Sequence, residues 1–191
     1  MVCIFFLVFT VSTAISQISE PTINWYSEST SNGISIQNSP PKGGRYPKDV
    51  DDLYNCSYLV FFTRITNEGE SPINLSLELS ASNFFIPQSP NTFVALSLPS
   101  DKMTLEKVNE FTYGLSNFDP LAKSSEHLET LKPYEDFLFY VVAFFYQTED
   151  GEWSEERGGN RAQLTLKGQE LFYDMPPQIN SLPIGEIILN E

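Results

Sequence analysis

The chain has 191 residues, 41% apolar, 14% aromatic and only 19% charged, which suits one domain with a genuine core and leaves no room for two large ones. Its 25 acidic and 11 basic residues give a net charge of −14. That excludes nucleic acid, since phosphate binding needs clustered Lys and Arg, and it opposes docking on an anionic membrane. Sparse charge, 15 Phe and 9 Tyr, with Pro, Asn and Ser between apolar runs, is a β-rich, extracellular style of composition.

The first stretch, MVCIFFLVFTVSTAIS, runs apolar from Val2 to Val11 and places small residues at Ala14 and Ser16. It reads as a signal peptide over 1–16, leaving a single domain over 17–191 that begins at Gln17; the competing reading is a buried N-terminal strand. The expected location is secreted or periplasmic. The run is too short to cross a bilayer and no later segment reaches ~18 apolar residues, so no membrane insertion is expected after cleavage. Removal of Cys3 leaves Cys56 alone, which forbids an intrachain disulfide and a clustered-thiolate metal site; Cys56 is expected as a small, semi-buried hydrophobe.

Thr22–Glu28 alternates Ile23 and Trp25 with Asn24 and Tyr26, a half-buried strand. Asn32-Gly33 marks a hairpin turn, after which Ile34 and Ile36 resume the alternation. Ser39-Pro40-Pro41-Lys42-Gly43-Gly44 predicts no regular element and opens a long loop to Asp52. Tyr58–Asn67 is a strong strand closed by the turn Glu68–Pro72. Ile73–Ser80 alternates Ile73, Leu75, Leu77 and Leu79 with polar residues, so one face meets the core and the other water.

Phe84–Ile86 and Thr92–Leu98 are short strands, and Lys102–Glu110 predicts a helical turn or two capped by Ser100 or Asp101. Glu126–Pro133 predicts a strand with Leu128 inward and a corner at Leu131 and Pro133. Pro133–Gln147 follows, an aromatic and β-branched run read as the central strand of a sandwich and apolar on both faces. Phe137, Phe139, Val141, Ala143 and Phe145 fall on one face. Leu138, Tyr140, Val142, Phe144 and Tyr146 fall on the other, which must also be covered. Glu149-Asp150-Gly151 is a turn, with Arg161–Lys167 expected as the returning hairpin partner. Leu171–Tyr173 and Ile184–Leu189 end the chain, the latter as an edge strand. Short strands about ten residues apart, separated by Pro and Gly, predict an all-β antiparallel sandwich with long connecting loops.

Leu131-x-Pro133-x-x-x-Phe137 resembles the approach to a central strand in fibronectin-III and other immunoglobulin-like domains, with Phe137 at the corner-tyrosine position and Tyr134 where Gly is usual. The resemblance covers ~15 residues and implies an immunoglobulin-like topology. Gly33–Ser39, Asn67–Leu77, Ser89-Pro90 and Leu166-Lys167-Gly168-Gln169-x-Leu171-Phe172-Tyr173 are similar to uncharacterised small secreted β-sandwich proteins of Bacteroidetes-type bacteria. That similarity implies secretion and brings no activity or catalytic residue.

His127 is the one histidine, so any Ser-His-Asp or Cys-His arrangement must use it; flanked by Glu126 and Glu129, it reads as a surface residue on a solvated strand face. There is no Gly-x-Ser-x-Gly, and one His with one Cys makes no zinc site. Carboxylates cluster at Glu149, Asp150, Glu152, Glu155 and Glu156, and again at Asp49, Asp51 and Asp52. Hard oxygen ligands of this kind suit weak extracellular calcium, although no Asp-x-Asp-x-Asp-Gly spacing is present and a solvated hairpin tip is the competing reading. Trp25, Tyr26 and Trp153, with Tyr146, could form a platform for sugar rings. The expected function is a non-catalytic module acting through surface contacts with a protein or glycan partner, without a cofactor. The alternative is an extracellular ligand-binding module for carbohydrate or calcium; a carboxylate-dependent glycoside hydrolase comes last.

Overall fold

The computed structural model describes residues 22–46, 56–79, 83–86, 89–117, 119, 124–147, 161–176 and 179–189. Two antiparallel sheets face each other as a β-sandwich. The first has the order β1 (Ser27–Ser31), β2 (Ile34–Asn38), β4 (Ser57–Asn67), β9 (Asp136–Gln147), β7 (Ser89–Ser97) and β6 (Asn83–Ile86), with β3 (Lys42–Arg45) beside β2 on the same edge of β4. The second has the order β10 (Gln163–Lys167), β11 (Glu170–Met175), β12 (Ile179–Leu189), β5 (Ile73–Leu77) and β8 (His127–Leu131).

β9 is central and buried on both faces. Phe139, Val141 and Ala143 join the core between the sheets, with Phe137 and Phe145 packed at its margin. Tyr140, Val142, Phe144 and Tyr146 enter a second core on the far side of the first sheet, with Leu138 at its margin. Period 2 makes this division automatic once the strand is extended. β5 keeps the expected alternation, burying Ile73, Leu75 and Leu77. The turn Asn32-Gly33, with φ of 53° and 73°, joins β1 to β2.

Two buried asparagines hold the ends. Asn38 donates from Nδ2 to Ser27 Oγ and the Leu164 carbonyl; its Oδ1 accepts from Thr63 Oγ1 and the Leu164 amide, so one side chain ties the two sheets together. Asn67 donates from Nδ2 to the carbonyls of Ser71 and Leu131, while its backbone exchanges bonds with Tyr134 and Glu135. It thereby pins the β8–β9 corner, where Tyr134 takes φ of 64°.

Several sequence expectations are corrected. Lys42–Arg45 is a strand, and Ile184–Leu189 belongs to β12, which lies between β11 and β5 and is no edge. One cause explains both. Gly43 and Gly185 lie so close to their neighbours that a Cβ would come within 2.0 Å of the Tyr58 and Ser76 carbonyl oxygens, respectively. Gly43, which reads as a breaker in the sequence, and Gly185 are there to let backbones touch. Pro183 is accommodated beside a register shift between Leu171 and Phe172.

Arg161–Lys167 is not the partner of β9, whose neighbours are β4 and β7; β10 pairs with β11 in the other sheet. Alternating Leu164 and Leu166 suits a strand with one wet face, as the second sheet provides. Leu128 points outward and is 67% exposed, while His127 turns inward against the rings of Phe137 and Phe139. The register Ile73↔Leu131 fixes Leu131 inward, and period 2 then carries His127 in and Leu128 out. The first strand begins at Ser27, although Ile23 and Trp25 do face the protein as alternation requires. The predicted helical turn is a 3-10 turn over Leu105–Asn109 preceded by Thr104, with no side-chain cap.

Candidate functional site

Trp25 is half-buried, its ring 5.3 Å from Phe62 and edge-on to it, so it belongs to the second core and offers no platform. Tyr26 is exposed, with the guanidinium of Arg161 5.9 Å from its ring centre. Tyr146 is buried and stacks on Phe93 at 4.7 Å. Trp25, Tyr26 and Tyr146 thus form no common surface. Trp153, the cluster Glu149, Asp150, Glu152, Glu155 and Glu156, and the cluster Asp49, Asp51 and Asp52 all lie outside the described residues. Among the described residues no group of three or more His, Cys, Asp or Glu could hold a metal ion. Cys56 is buried, and desolvation pushes its thiol up to about 11, which leaves it a packing residue.

What the structure does assemble is the covering of the outer face of the first sheet. Met103, Val108, Tyr113 and Leu115 lie over β4 and β9, joined by Ile23 and Trp25. The segment ends in a turn, Phe111–Gly114, whose backbone is left-handed at Thr112 (φ 52°), Tyr113 (φ 55°) and Gly114 (φ 72°). Two non-glycine residues in succession, one of them β-branched, adopt this conformation only when their surroundings dictate it.

Those surroundings are explicit. Thr112 Oγ1 donates to the Leu115 carbonyl at 2.7 Å. Tyr113 Oη donates to the Pro40 carbonyl at 2.6 Å, and the buried Tyr140 Oη donates to the Tyr113 carbonyl at 2.7 Å. Burial pushes the Tyr140 phenol up to about 12 and raises that of Tyr113, so both stay protonated as donors. From β3, Lys42 reaches across to the carbonyls of Val108 (2.6 Å) and Glu110 (2.8 Å), with its ammonium 4.2 Å from the centre of the Tyr113 ring. Desolvation lowers the Lys42 pKa, and the carbonyls and the ring replace part of the lost hydration.

The outcome is Phe111 standing 69% exposed on a fixed backbone. Beside it opens a groove of about 660 Å³ lined by Tyr46, Tyr58, Glu110, Leu115 and Ser116 together with Phe111 and its turn. Tyr46 is held edge-on between Tyr58 (6.4 Å) and Phe144 (6.3 Å), and its phenol is raised first by burial and then by the charge of Asp119. The groove therefore combines aromatic surface with a carboxylate and hydroxyls. A smaller cleft of about 400 Å³ lies where the covering meets the β8–β9 corner, with Lys102, Glu129, Glu135 and Asp136 at its rim. Asp136 is engaged there by Arg64.

None of the groove residues was singled out for binding by sequence reasoning. The one signal was Phe-Thr-Tyr-Gly after a short helical stretch, where Gly114 stands at the left-handed position that ends a turn. Among the described residues no helix is long and apolar enough to cross a membrane. Comparison with known proteins returns no match, whether to family models, curated proteins or solved structures.

Proposed function

We propose that the chain is a secreted or periplasmic, non-catalytic β-sandwich of immunoglobulin-like kind that works through surface contacts, as an adhesive, structural or accessory module. The observation that carries this reading is Phe111, 69% exposed on a turn with two left-handed non-glycine residues. Leaving a Phe in water forgoes about 1.5–3 kcal/mol, and each strained residue costs on the order of 1–3 kcal/mol. A fold with two well-packed cores has no need of that expense for its own stability. Aromatic side chains presented on rigid backbone are the anchors that dominate contact energies.

The test compares retention of labelled protein on cell envelopes for wild type, Phe111→Ser and Tyr134→Ser, the last removing an equally exposed aromatic at the β8–β9 corner. Loss confined to Phe111→Ser supports the reading; equal retention of all three removes Phe111 from the contact. Turnover of generic glycosides or esters by pure protein would overturn the non-catalytic assignment. Export is tested separately by N-terminal sequencing, with Gln17 as the expected first residue and an intact Met1 as the contrary result.

A further inference from the structure

Resting on the surface-contact reading, we infer that the groove beside Phe111 binds an uncharged polysaccharide, one sugar ring lying on the Phe111 face with its hydroxyls directed to Glu110 and Ser116. A pyranose ring presents an apolar C–H face and a rim of hydroxyl groups, and this groove offers both complements. Phe111 and Tyr46 supply apolar surface; the Glu110 carboxylate accepts two hydroxyl hydrogens and Ser116 adds a hydroxyl. Its volume of about 660 Å³ is ample for sugar rings.

Charge decides against an anionic ligand. Among the described residues that line it none is a cation, and the nearby Lys42 and Lys107 ammonium groups are committed elsewhere. Lys42 bonds the Val108 and Glu110 carbonyls, and Lys107 bonds the Lys102 carbonyl. A phosphorylated, sulfated or uronic-acid polymer would face Glu110, the nearby Asp119 and a net charge of −14 without a partner. A basic peptide would find, among the described residues, Glu110 and the nearby Asp119 set among aromatic surfaces, a poor match for several charges.

The geometry is also held in advance. Glu110 Oε2 sits over Gly114, within 2.8 Å of where a Cβ would stand, so the left-handed turn and the carboxylate share one position. A turn whose backbone is already held by the Tyr140, Thr112 and Lys42 side chains loses little backbone freedom when a ligand binds.

The experiment is affinity electrophoresis of the full chain through gels containing galactomannan, arabinoxylan, hydroxyethylcellulose or glycol chitin. Wild type, Phe111→Ser, Glu110→Gln and Tyr134→Ser are compared. The expected result is retardation by at least one polymer, weakened roughly 30-fold by Phe111→Ser, as for an anchor residue. Glu110→Gln should weaken it less, Tyr134→Ser not at all, and the effect should persist from about 0.05 to about 0.5 M NaCl because no ion pair is involved. Retardation that survives Phe111→Ser overturns this groove as the site. No retardation by any polymer, with envelope retention still lost in Phe111→Ser, overturns the glycan class and leaves the surface-contact reading standing. Retention abolished by salt would point instead to a basic partner and overturn the inference.

Discussion

Strands β4 and β9 of the first sheet are buried on both faces, whereas β5 and β8 of the second are buried on one. The outer face of β4 and β9 carries Val60, Phe62, Tyr140, Val142 and Phe144, all covered by the chain itself. Across β8, β5 and β12, the outer face of the second sheet carries Thr130, Asn74 and Ile188 in one row and Leu128, Ser76 and Glu186 in the next, and among the described residues no element lies over them. A sheet with one wet face needs only alternation in its strands. A sheet dry on both needs continuous apolar strands and a further layer of chain, here the segment that ends in Phe111. The candidate site exists because that layer has a margin.

The largest test of this contrast is a buried charge on each outer face. Val142→Asp should be as damaging as Val141→Asp on the inner face, each costing more than about 4 kcal/mol by desolvating an unpaired carboxylate. Ser76→Asp, at the matching place on the second sheet, should change stability by less than about 0.5 kcal/mol in urea unfolding. A folded, cooperative Val142→Asp protein would show that the covering is not a core.

Next in size, Tyr140→Phe should cost about 1–2 kcal/mol by leaving the Tyr113 carbonyl without its buried donor. Amide exchange should rise over residues 103–115 and stay unchanged in β5 and β12; uniform loosening would mean that covering and sandwich open as one unit.

Tyr173 tests the inner core with the opposite sign. Its hydroxyl is buried between the sheets without a hydrogen-bond partner among the described residues, and burial raises its pKa. Tyr173→Phe should therefore stabilise the protein by up to about 1 kcal/mol, raising the urea midpoint. A lowered midpoint would reveal a buried water bonded to that hydroxyl.

The smallest effect is set by pH. Burial between the sheets holds the His127 imidazole below its ordinary value, while its bond to the Pro99 carbonyl and the charge of Glu129 act the other way, and Lys102 adds to the lowering. The unfolded chain then binds the proton more readily than the folded one. His127 thus supports the fold fully above about pH 6.5, and that support is lost as pH falls below it. His127→Gln should flatten the fall in stability between about pH 7.5 and 5.5. An unchanged slope would place the pH dependence on other groups.

Much of the fold was legible because burial leaves a periodic trace. Two dry faces make Phe137–Tyr146 apolar throughout, and one dry face makes Ile73–Leu77 alternate; both patterns show which residues share a face. Strand neighbours were not legible. Arg161–Lys167 was matched to β9 by proximity in sequence, but pairing is decided across the whole molecule. The inward turn of His127 was lost for a related reason, since its direction follows from the register at Leu131 and not from its own polarity.

The sequence by itself determined the all-β class, the central two-faced strand and the need for a cover over its outer side. Only the tertiary structure decided what that cover is and where Phe111 ends up. The physical reason is that Lys42, Pro40 and Tyr140 are far from Phe111–Gly114 along the chain. Their hydrogen bonds impose a backbone that no local preference of Phe-Thr-Tyr-Gly would select.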